Sequence, residues 1–194
     1  MAHVEGDDLL ARVPELDLPH LDTGEPLGSR TPLTANAYLG AWGIAAALRA
    51  GAQVVVTGRV TDASLVVGPA AAHFGWARDD WDRLAGAVAV GHVLECGTQA
   101  TGGNYSFVRE EVARPLRMGF PVAEVSQDGS AVITKHDGTG GAVTVGTVTA
   151  QLLYEIAGPL YAGPDVVTDF ASLRRSLTGL LPGAAPYPWG IRRA

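Results

Sequence analysis

The chain has 194 residues, 47% of them hydrophobic, and a formal net charge of −6 at pH 7. This length and apolar content are typical of a folded domain with a sizeable core, and they exclude a disordered segment. The negative charge, without any cluster of lysine or arginine, argues against nucleic acid and anionic membrane as main partners, because both are bound through basic surfaces. A small-molecule ligand is compatible with this composition.

Cys96 is the only cysteine, so the chain has neither an internal disulfide framework nor a thiolate zinc cluster. The apolar runs are interrupted before they reach the length of a bilayer, and no basic-then-apolar signal opens the chain. Together these observations predict a cytoplasmic protein without a membrane partner.

The opening residues AHVEGDD predict a short strand that runs into a polar turn. Residues 9–16 predict a brief helix, and residues 22–32, rich in turn formers, predict a loop. A longer helix follows, for which Thr34 or Asn36 is a predicted cap, and Gly51 is predicted to end it in the left-handed conformation.

Residues 53–57 predict a buried strand, because three consecutive valines without polar alternation are typical of a strand covered by helices on both faces. Gly58, Arg59 and Asp62 follow at the C-terminal end of this strand, where ligands bind in open parallel sheets. We expect Arg59 to bind an anionic group and Asp62 to transfer a proton, with Asn36 as a further substrate-binding residue. The alternative is that Asp62 or its neighbour caps the next helix and Arg59 lies in solvent.

The next segment predicts a helix that Gly68 and Pro69 interrupt, then a second short helix that ends before Gly75. A further helix is predicted to start at Asp79 or Asp80, because acidic residues are favoured in the first turn. Its predicted buried positions recur at helical spacing and continue onto two polar residues; they are Trp81, Leu84, Ala85, Val88, His92 and Glu95. A buried carboxylate is costly unless it is paired, so we expect Glu95 to be paired or to face a polar cavity and to act as a second proton-transfer residue. The alternative is a solvated helix end.

The polar stretch ECGTQATGGNYS at residues 95–106 is the second candidate for a binding loop. Hydroxyls, amides and backbone N–H groups of small residues can position polar atoms of a substrate. The candidate substrate-binding residues here are Thr98, Gln99, Gly102, Gly103, Asn104 and Tyr105. An ordinary surface loop is the alternative, and Cys96 is interpreted as a small buried filler in preference to a nucleophile.

The segments FPVAEV and SAVITK flank an Asp-Gly turn and predict an antiparallel β-hairpin near residues 122–135. A helix is predicted to follow and to continue through Tyr154 and Glu155. If so, a glycine-rich loop at its N-terminus can bind an anion, although it lacks the lysine of a P-loop; the loop consists of Gly138, Thr139, Gly140 and Gly141. Residues 171–194 predict an irregular, poorly packed tail.

Together these elements predict an α/β fold with a mainly parallel sheet, flanking helices and the added hairpin. The segments ANAYLGAWGIAAALRAGAQVVVTGRVTDASLVVGPAAAHFGW, ECGTQATGGNYS and GTGGAVTVGTVTAQLLYEI resemble the AtuA family of acyclic terpene utilisation proteins. The resemblance implies breakdown of citronellol- and geraniol-like isoprenoids that are carried as CoA thioesters. It also implies that residues 1–170 are part of a larger AtuA-like domain, because family members have further sequence on both sides.

Two functions of different classes follow from these residues and this resemblance. The first is an enzyme that acts on an isoprenoid acyl-CoA, with Arg59 on an anionic group, Asp62 or Glu95 moving a proton, and residues 98–105 holding the thioester. The second is a non-catalytic subunit that assembles with CoA-pathway enzymes or with copies of itself. No cofactor and no metal site can be named from the sequence.

Overall fold

The N-terminal strand and the valine-rich strand pair in parallel and carry a helix. In the computed structural model, which describes residues 1–108, 116–175 and 187–191, strand β1 (Ala2–Val4) lies beside β2 (Val55–Thr57). Helix α1 (Trp42–Arg49) packs against both strands. It approaches closely because Gly43 has no side chain, and a Cβ there would lie 2.6 Å from Cγ1 of Val4.

The other face of this strand pair is open. Val54 and Val56 are 55% and 49% exposed, so the prediction of a strand covered on both faces is wrong. Side chains alternate along a strand, and only the intervening Val55 lies on the covered side. In the described residues, β1 with β2 is the one pair of parallel strands. The prediction of a mainly parallel sheet is therefore not confirmed, and the fold is mixed, with small sheets.

Helix α1 begins later than predicted. Asn36 forms an antiparallel bridge with Asp8, so this segment pairs with the loop after β1 instead of capping the helix. The N-cap is Ala41, whose N–H donates to Oδ2 of Asp165 at 2.8 Å. Gly51 follows the helix with a φ of +86°, and its predicted role in ending the helix is confirmed.

Helix α2 (Ser64–Phe74) is continuous, although a break was predicted inside it. Pro69 is exposed, so the backbone carbonyl that loses its N–H partner can be hydrated. Gly68 holds the helix against α1, because a Cβ there would lie 2.8 Å from Cβ of Ile44. The left-handed C-cap at Gly75, with a φ of +69°, confirms the predicted end.

Helix α3 (Trp81–Leu94) is the central element of the described residues. Residues 84–93 are all buried, as expected of a helix that packs on every side. Helix α3 contacts α2, the β-hairpin and the later helix α4 (Val145–Leu152). The predicted buried face is confirmed at Leu84, Ala85 and Val88. Trp81, at 44% exposure, is not part of it. Gly86 lets the hairpin approach, because a Cβ there would collide with the backbone carbonyl of Gly129.

The predicted hairpin is confirmed as β3 (Pro121–Val125) and β4 (Ala131–Lys135). Gly129 adopts a φ of +86° in the turn, which is the conformation that favours glycine. The indole N–H of Trp76 donates to the carbonyl of Gln127 at 3.0 Å. The turn is thereby fixed to the end of α2 as well as to α3.

Two further strands belong to the hairpin sheet. Strand β8 (Tyr187–Ile191) pairs antiparallel with β4 and with β7 (Leu173–Arg175), which gives the order β3-β4-β8-β7. Both strands lie in the segment predicted to be an irregular tail. Residues 176–186 and 192–194 of that tail lie outside the described residues, and a domain boundary at residue 170 stays a prediction.

Helix α4 (Val145–Leu152) is shorter than predicted. It begins at the N-cap Thr144, which exchanges side-chain and backbone hydrogen bonds with Thr147. It ends before Glu155, whose φ of +57° is outside the helical region. A small hairpin of β5 (Leu160–Ala162) and β6 (Val167–Asp169) follows.

The buried apolar residues form two clusters, one on each side of α3. The first joins α1, α2 and α3, and the second joins α3, the β3–β4 hairpin and α4. None of the helices in the described ranges combines the length and apolar character that a bilayer span requires. The C-terminal turn of α3, where it meets α4 and the β5–β6 hairpin, is the place where polar residues enter this interior.

Candidate functional site

A buried acid–base pair lies at the C-terminal end of α3. The side chains of His92 and Glu95 are 1% and 7% exposed, and Nδ1 of the histidine lies 2.9 Å from Oε1 of the glutamate. The two groups are not aligned for a regular hydrogen bond, and Nε2 has no hydrogen-bond partner among the described residues. The prediction that Glu95 is paired is therefore confirmed, and the alternative of a solvated helix end is wrong.

Two buried side-chain amides near the C-terminal end of α3, one on α4 and one in the loop after α3, lack full hydrogen bonding. Gln151 on α4 is fully buried and donates from Nε2 to the backbone carbonyl of His92 at 3.0 Å. Its Oε1 and that of Gln99 are buried without a hydrogen-bond partner in the described part of the chain. Such atoms are costly in a folded protein, so they are typical of a site that is completed by a ligand or by water.

Two neighbouring groups show that this region carries concentrated negative charge. Burial raises the pKa of the Cys96 thiol, and the charges of Glu95, Glu155 and Asp62 raise it further, against a hydrogen bond with Gln151 that lowers it. The charge of Glu155 is the main reason that the pKa of Tyr154 is raised. A thiol held in its protonated form is a poor nucleophile, which agrees with the interpretation of Cys96 as a filler.

Two aromatic residues cover the histidine. The rings of Tyr161 and Phe170 have their centroids 5.3 and 5.6 Å from that of His92. Burial raises the pKa of the Tyr161 hydroxyl, followed by the charges of Glu95, Asp62 and Glu155. Tyr161 is therefore a hydrogen-bond donor at neutral pH. Neither aromatic residue was predicted as part of a site.

Tyr161 also lines a small cleft between the start of α2 and the β5–β6 turn. The cleft, of about 30 Å³, is large enough for one water molecule, and Thr61, Ser64 and Asp165 are among its lining residues. Burial raises the pKa of Asp165, against the N–H of Ala41, which lowers it. Tyr161 thus lies between this cleft, which it lines, and the buried pair, because its ring also packs against that of His92.

Asp62 lies at the rim of this region and is exposed. Its charge acts on Cys96 and on Tyr161, as does the charge of Glu95, so the two predicted proton-transfer carboxylates influence the same groups. The side chain of Asp62 does not cap α2, whose N-cap is Ala63 without a side-chain hydrogen bond. We define the His92 cluster as His92, Glu95, Gln151 and Tyr161, with Asp62 at its rim.

A second, exposed group lies where β1 and β2 end. Oδ2 of Asp7 accepts hydrogen bonds from the backbone N–H of Arg59 at 2.8 Å and from Nδ2 of Asn36 at 3.0 Å. The Arg59 N–H is the main reason that the pKa of Asp7 is lowered. The guanidinium carbon of Arg59 lies 5.5 Å from the centre of the Tyr38 ring. Two predicted substrate-binding residues are thus brought together by an aspartate that was not predicted.

The polar loop after α3 has a largely structural arrangement. Thr101 is fully buried, and its hydroxyl donates to the carbonyl of Gly119 at 2.8 Å. Gly102 is also buried, whereas Gly103 and Asn104 are exposed. Tyr105 lies against Gly146, where a Cβ would collide with its ring. Thr98 and Gln99 are half-buried, and Oε1 of Gln99 is buried.

The glycine-rich loop at residues 138–141 ends before the N-cap of α4 at Thr144. The N–H of Gly140 donates to the carbonyl of Arg117 at 2.9 Å. The hydroxyl of Thr139 donates to the carbonyl of His136 at 2.6 Å, and Nζ of Lys135 donates to the carbonyl of Thr139 at 2.9 Å. Gly138 and Gly141 have positive φ values. Anion binding by this loop stays a prediction, as do the roles of the other predicted site residues.

The described residues contain no group of three or more His, Cys, Asp or Glu side chains that could hold a metal ion. Fold and site together define a mixed α/β protein with a buried acid–base pair at the end of its central helix. Residues 1–179 match the model of a family described as acyclic terpene utilisation family protein AtuA, and the chain belongs to this family. Searches of curated proteins and of solved structures found no match.

Proposed function

We propose that this chain serves acyclic terpene utilisation by binding an acyl-CoA intermediate of an acyclic isoprenoid and moving a proton on its acyl part. The observation that carries the proposal is the buried pair of His92 and Glu95, 2.9 Å apart, beside an unpartnered Nε2 atom. Histidine and glutamate are the side chains that most often transfer protons near neutral pH. A ligand carbonyl or a water at Nε2 would satisfy the buried nitrogen.

The residues around the pair favour chemistry at a carbonyl group. A thioester carbonyl gains negative charge when a proton leaves the adjacent carbon, and fixed hydrogen-bond donors lower the energy of that state. Tyr161, whose ring lies against His92, would supply such a donor, because its raised pKa keeps the hydroxyl protonated. Glu95 would accept the proton, directly or through His92, and Asp62 would hold the local charge balance. Arg59 and Asn36 would bind a phosphate group of CoA at the outer edge.

The test is incubation of the chain with citronellyl-CoA, geranyl-CoA and straight-chain decanoyl-CoA in D2O, followed by mass spectrometry. We expect deuterium uptake or consumption of the branched esters. Glu95→Gln should lower the rate by about 100-fold or more, as expected for loss of a general base. Glu124→Gln, which changes an exposed carboxylate on β3, is the matched control and should leave the rate unchanged. Equal rates for the two variants would refute the role of Glu95.

An assembly role is supported by a separate observation, the open face of the β1–β2 pair. Val54 and Val56 are about half exposed there, and an uncovered sheet edge with apolar side chains favours association. The measurement is the molar mass of the wild type and of Val56→Lys by light scattering. A larger species in the wild type that the variant lacks would support assembly through this face, and identical monomers would exclude it.

A further inference from the structure

A cleft lies within the segment that connects β1 to α1, apart from the His92 cluster. The two ends of this segment lie side by side, because the N–H of Leu9 donates to the carbonyl of Ala35 at 2.8 Å and Asp8 forms a β-bridge with Asn36. Between these points the chain borders an open cleft of about 530 Å³. Small-molecule sites typically have volumes of about 300–1,000 Å³, so the cleft is large enough for a metabolite.

The walls of the cleft are apolar and polar in about equal parts. Val13 at 8% exposure is buried against them, and Leu16 and Leu27 are half-buried. The apolar lining residues are Leu10, Val13, Pro14, Leu16, Leu18, Pro26, Leu27 and Pro32. Prolines fix the backbone and keep such a surface open at little entropic cost. The lining thus suits an amphipathic ligand, which has a hydrocarbon chain for the apolar walls and a polar group for the rest.

The charged residues of the lining are one cation, Arg30, and one carboxylate, Asp17. Arg30 is 68% exposed, and its Nη2 atom is 3.9 Å from Oε2 of Glu25. At this distance the pair has no hydrogen bond, and an exposed pair of this kind contributes little. The guanidinium group is therefore available to a ligand anion at the mouth of the cleft. The segment ends beside Asn36, which links it to the exposed group around Asp7 and Arg59.

We propose that this cleft binds the branched apolar chain of a terpenoid that carries an anionic group, with the chain against the leucine and proline walls and the anion at Arg30. The choice of a terpenoid rests on the proposed function. The anionic group is the carboxylate of a free terpenoid acid, because the phosphates of a CoA ester are separated from its acyl chain by the pantetheine arm.

The first test compares two exposed arginines by isothermal titration with citronellate and with the neutral alcohol citronellol. Arg30→Gln should weaken citronellate binding by about 5-fold, the effect expected of one exposed charge. Arg12→Gln is the matched control, because Arg12 is 62% exposed and faces Glu15 at the same 3.9 Å but is not a lining residue. Equal affinities in both variants, or equal binding of acid and alcohol, would overturn the role of Arg30.

The second test fills the cleft. Ser29 is an exposed lining residue, and Ser29→Trp adds an indole ring without disturbing the core. We expect loss of citronellate binding, whereas Leu21→Trp, at a position that is 98% exposed and outside the lining, should bind like the wild type. Unchanged binding in Ser29→Trp would overturn the proposal.

A third arm separates this inference from the proposed function by titrating citronellyl-CoA into the same variants. Weakened binding by Ser29→Trp places the acyl chain of the ester in the cleft and supports the inference. If Ser29→Trp binds both citronellate and the ester with the wild-type affinity and the ester is turned over at the wild-type rate, the cleft inference fails while the proposed function stands. If citronellate binds in the cleft but no ester is bound or consumed, the inference stands and the proposed function fails.

Discussion

Replacing His92 with leucine tests whether the buried pair is held in place at a cost to stability. The variant leaves the carboxylate of Glu95, whose side chain is 7% exposed, without its partner 2.9 Å away. Breaking a buried ion pair by removal of one partner costs about 3–5 kcal/mol. The hydrogen bond from Gln151 goes to the backbone carbonyl of residue 92 and is retained in the variant. The loss therefore reports on the pair together with the ring contacts that His92 makes with Tyr161 and Phe170.

The assay is urea unfolding followed by tryptophan fluorescence and by circular dichroism. With a slope of about 2 kcal/mol per molar urea, a loss of about 4 kcal/mol lowers the midpoint by about 2 M. A domain with about 5–15 kcal/mol of stability survives this loss. His136→Leu, at an exposed histidine, is the control and should change the free energy of unfolding by less than about 0.5 kcal/mol.

The double variant completes a thermodynamic cycle. When both partners of a buried pair become apolar residues of similar size, stability is typically unchanged or rises by about 1–4 kcal/mol. We therefore expect His92→Leu/Glu95→Leu to be more stable than His92→Leu alone, which is a strongly non-additive result. A single variant that loses less than about 1 kcal/mol would show that Glu95 reaches water. A double variant as unstable as the single would show that the site cannot close around leucine.

Three further predictions concern packing and pH. Gly86→Ala should lower the free energy of unfolding by about 1–2 kcal/mol in the same urea assay, because the added methyl group overpacks against the hairpin backbone and this outweighs the higher helix propensity of alanine. An unchanged free energy of unfolding would show that the hairpin turn can shift. The pKa of Asp7 is lowered in the fold, so the ionised carboxylate stabilises the fold at neutral pH and this stabilisation is lost as the pH falls. Asp7→Asn should therefore make the fall of Tm below about pH 4 less steep. The same dependence of Tm on pH in the variant and the wild type would contradict this. The pKa of Asp165 is raised by burial, so the protonated carboxyl stabilises the fold at low pH and this stabilisation is lost as the pH rises. Asp165→Asn, which keeps an acceptor for the N–H of Ala41, should therefore raise Tm at pH 7 and raise it less near pH 3. A lower Tm of this variant at pH 7 would refute the prediction.

Local signals in the sequence predicted the elements that depend on local chemistry. The Asp-Gly turn identified the hairpin, and Gly51 and Gly75 marked the ends of α1 and α2, because each of these features depends on a few adjacent residues. The spacing along α3 placed His92 and Glu95 on neighbouring turns. The contact between them was therefore foreseeable from the chain itself.

Features that depend on distant segments were not predictable in this way. Valine content indicated a strand at β2 but carried no information on what covers its second face. Pro69 indicated a break because the local rule neglects the packing of Gly68 on α1. Tyr161 and Gln151 reach His92 across long stretches of chain, without any local signal. Asp7 was within reach of sequence reasoning, because it follows β1 at the same edge as Arg59.

The combination of stability and turnover decides between a structural and a functional reason for the His92 cluster. Helix α3 is apolar along residues 84–93 except for His92, so leucine at positions 92 and 95 would continue its packing. A pair kept for stability predicts that the double variant unfolds more easily. If the pair serves proton transfer, the double variant should be at least as stable as the wild type and should fail to exchange the acyl proton. The reason is that functional sites commonly retain buried charged groups that do not stabilise the fold. The second outcome is the one we expect, and a destabilised double variant with normal exchange would reverse the assignment.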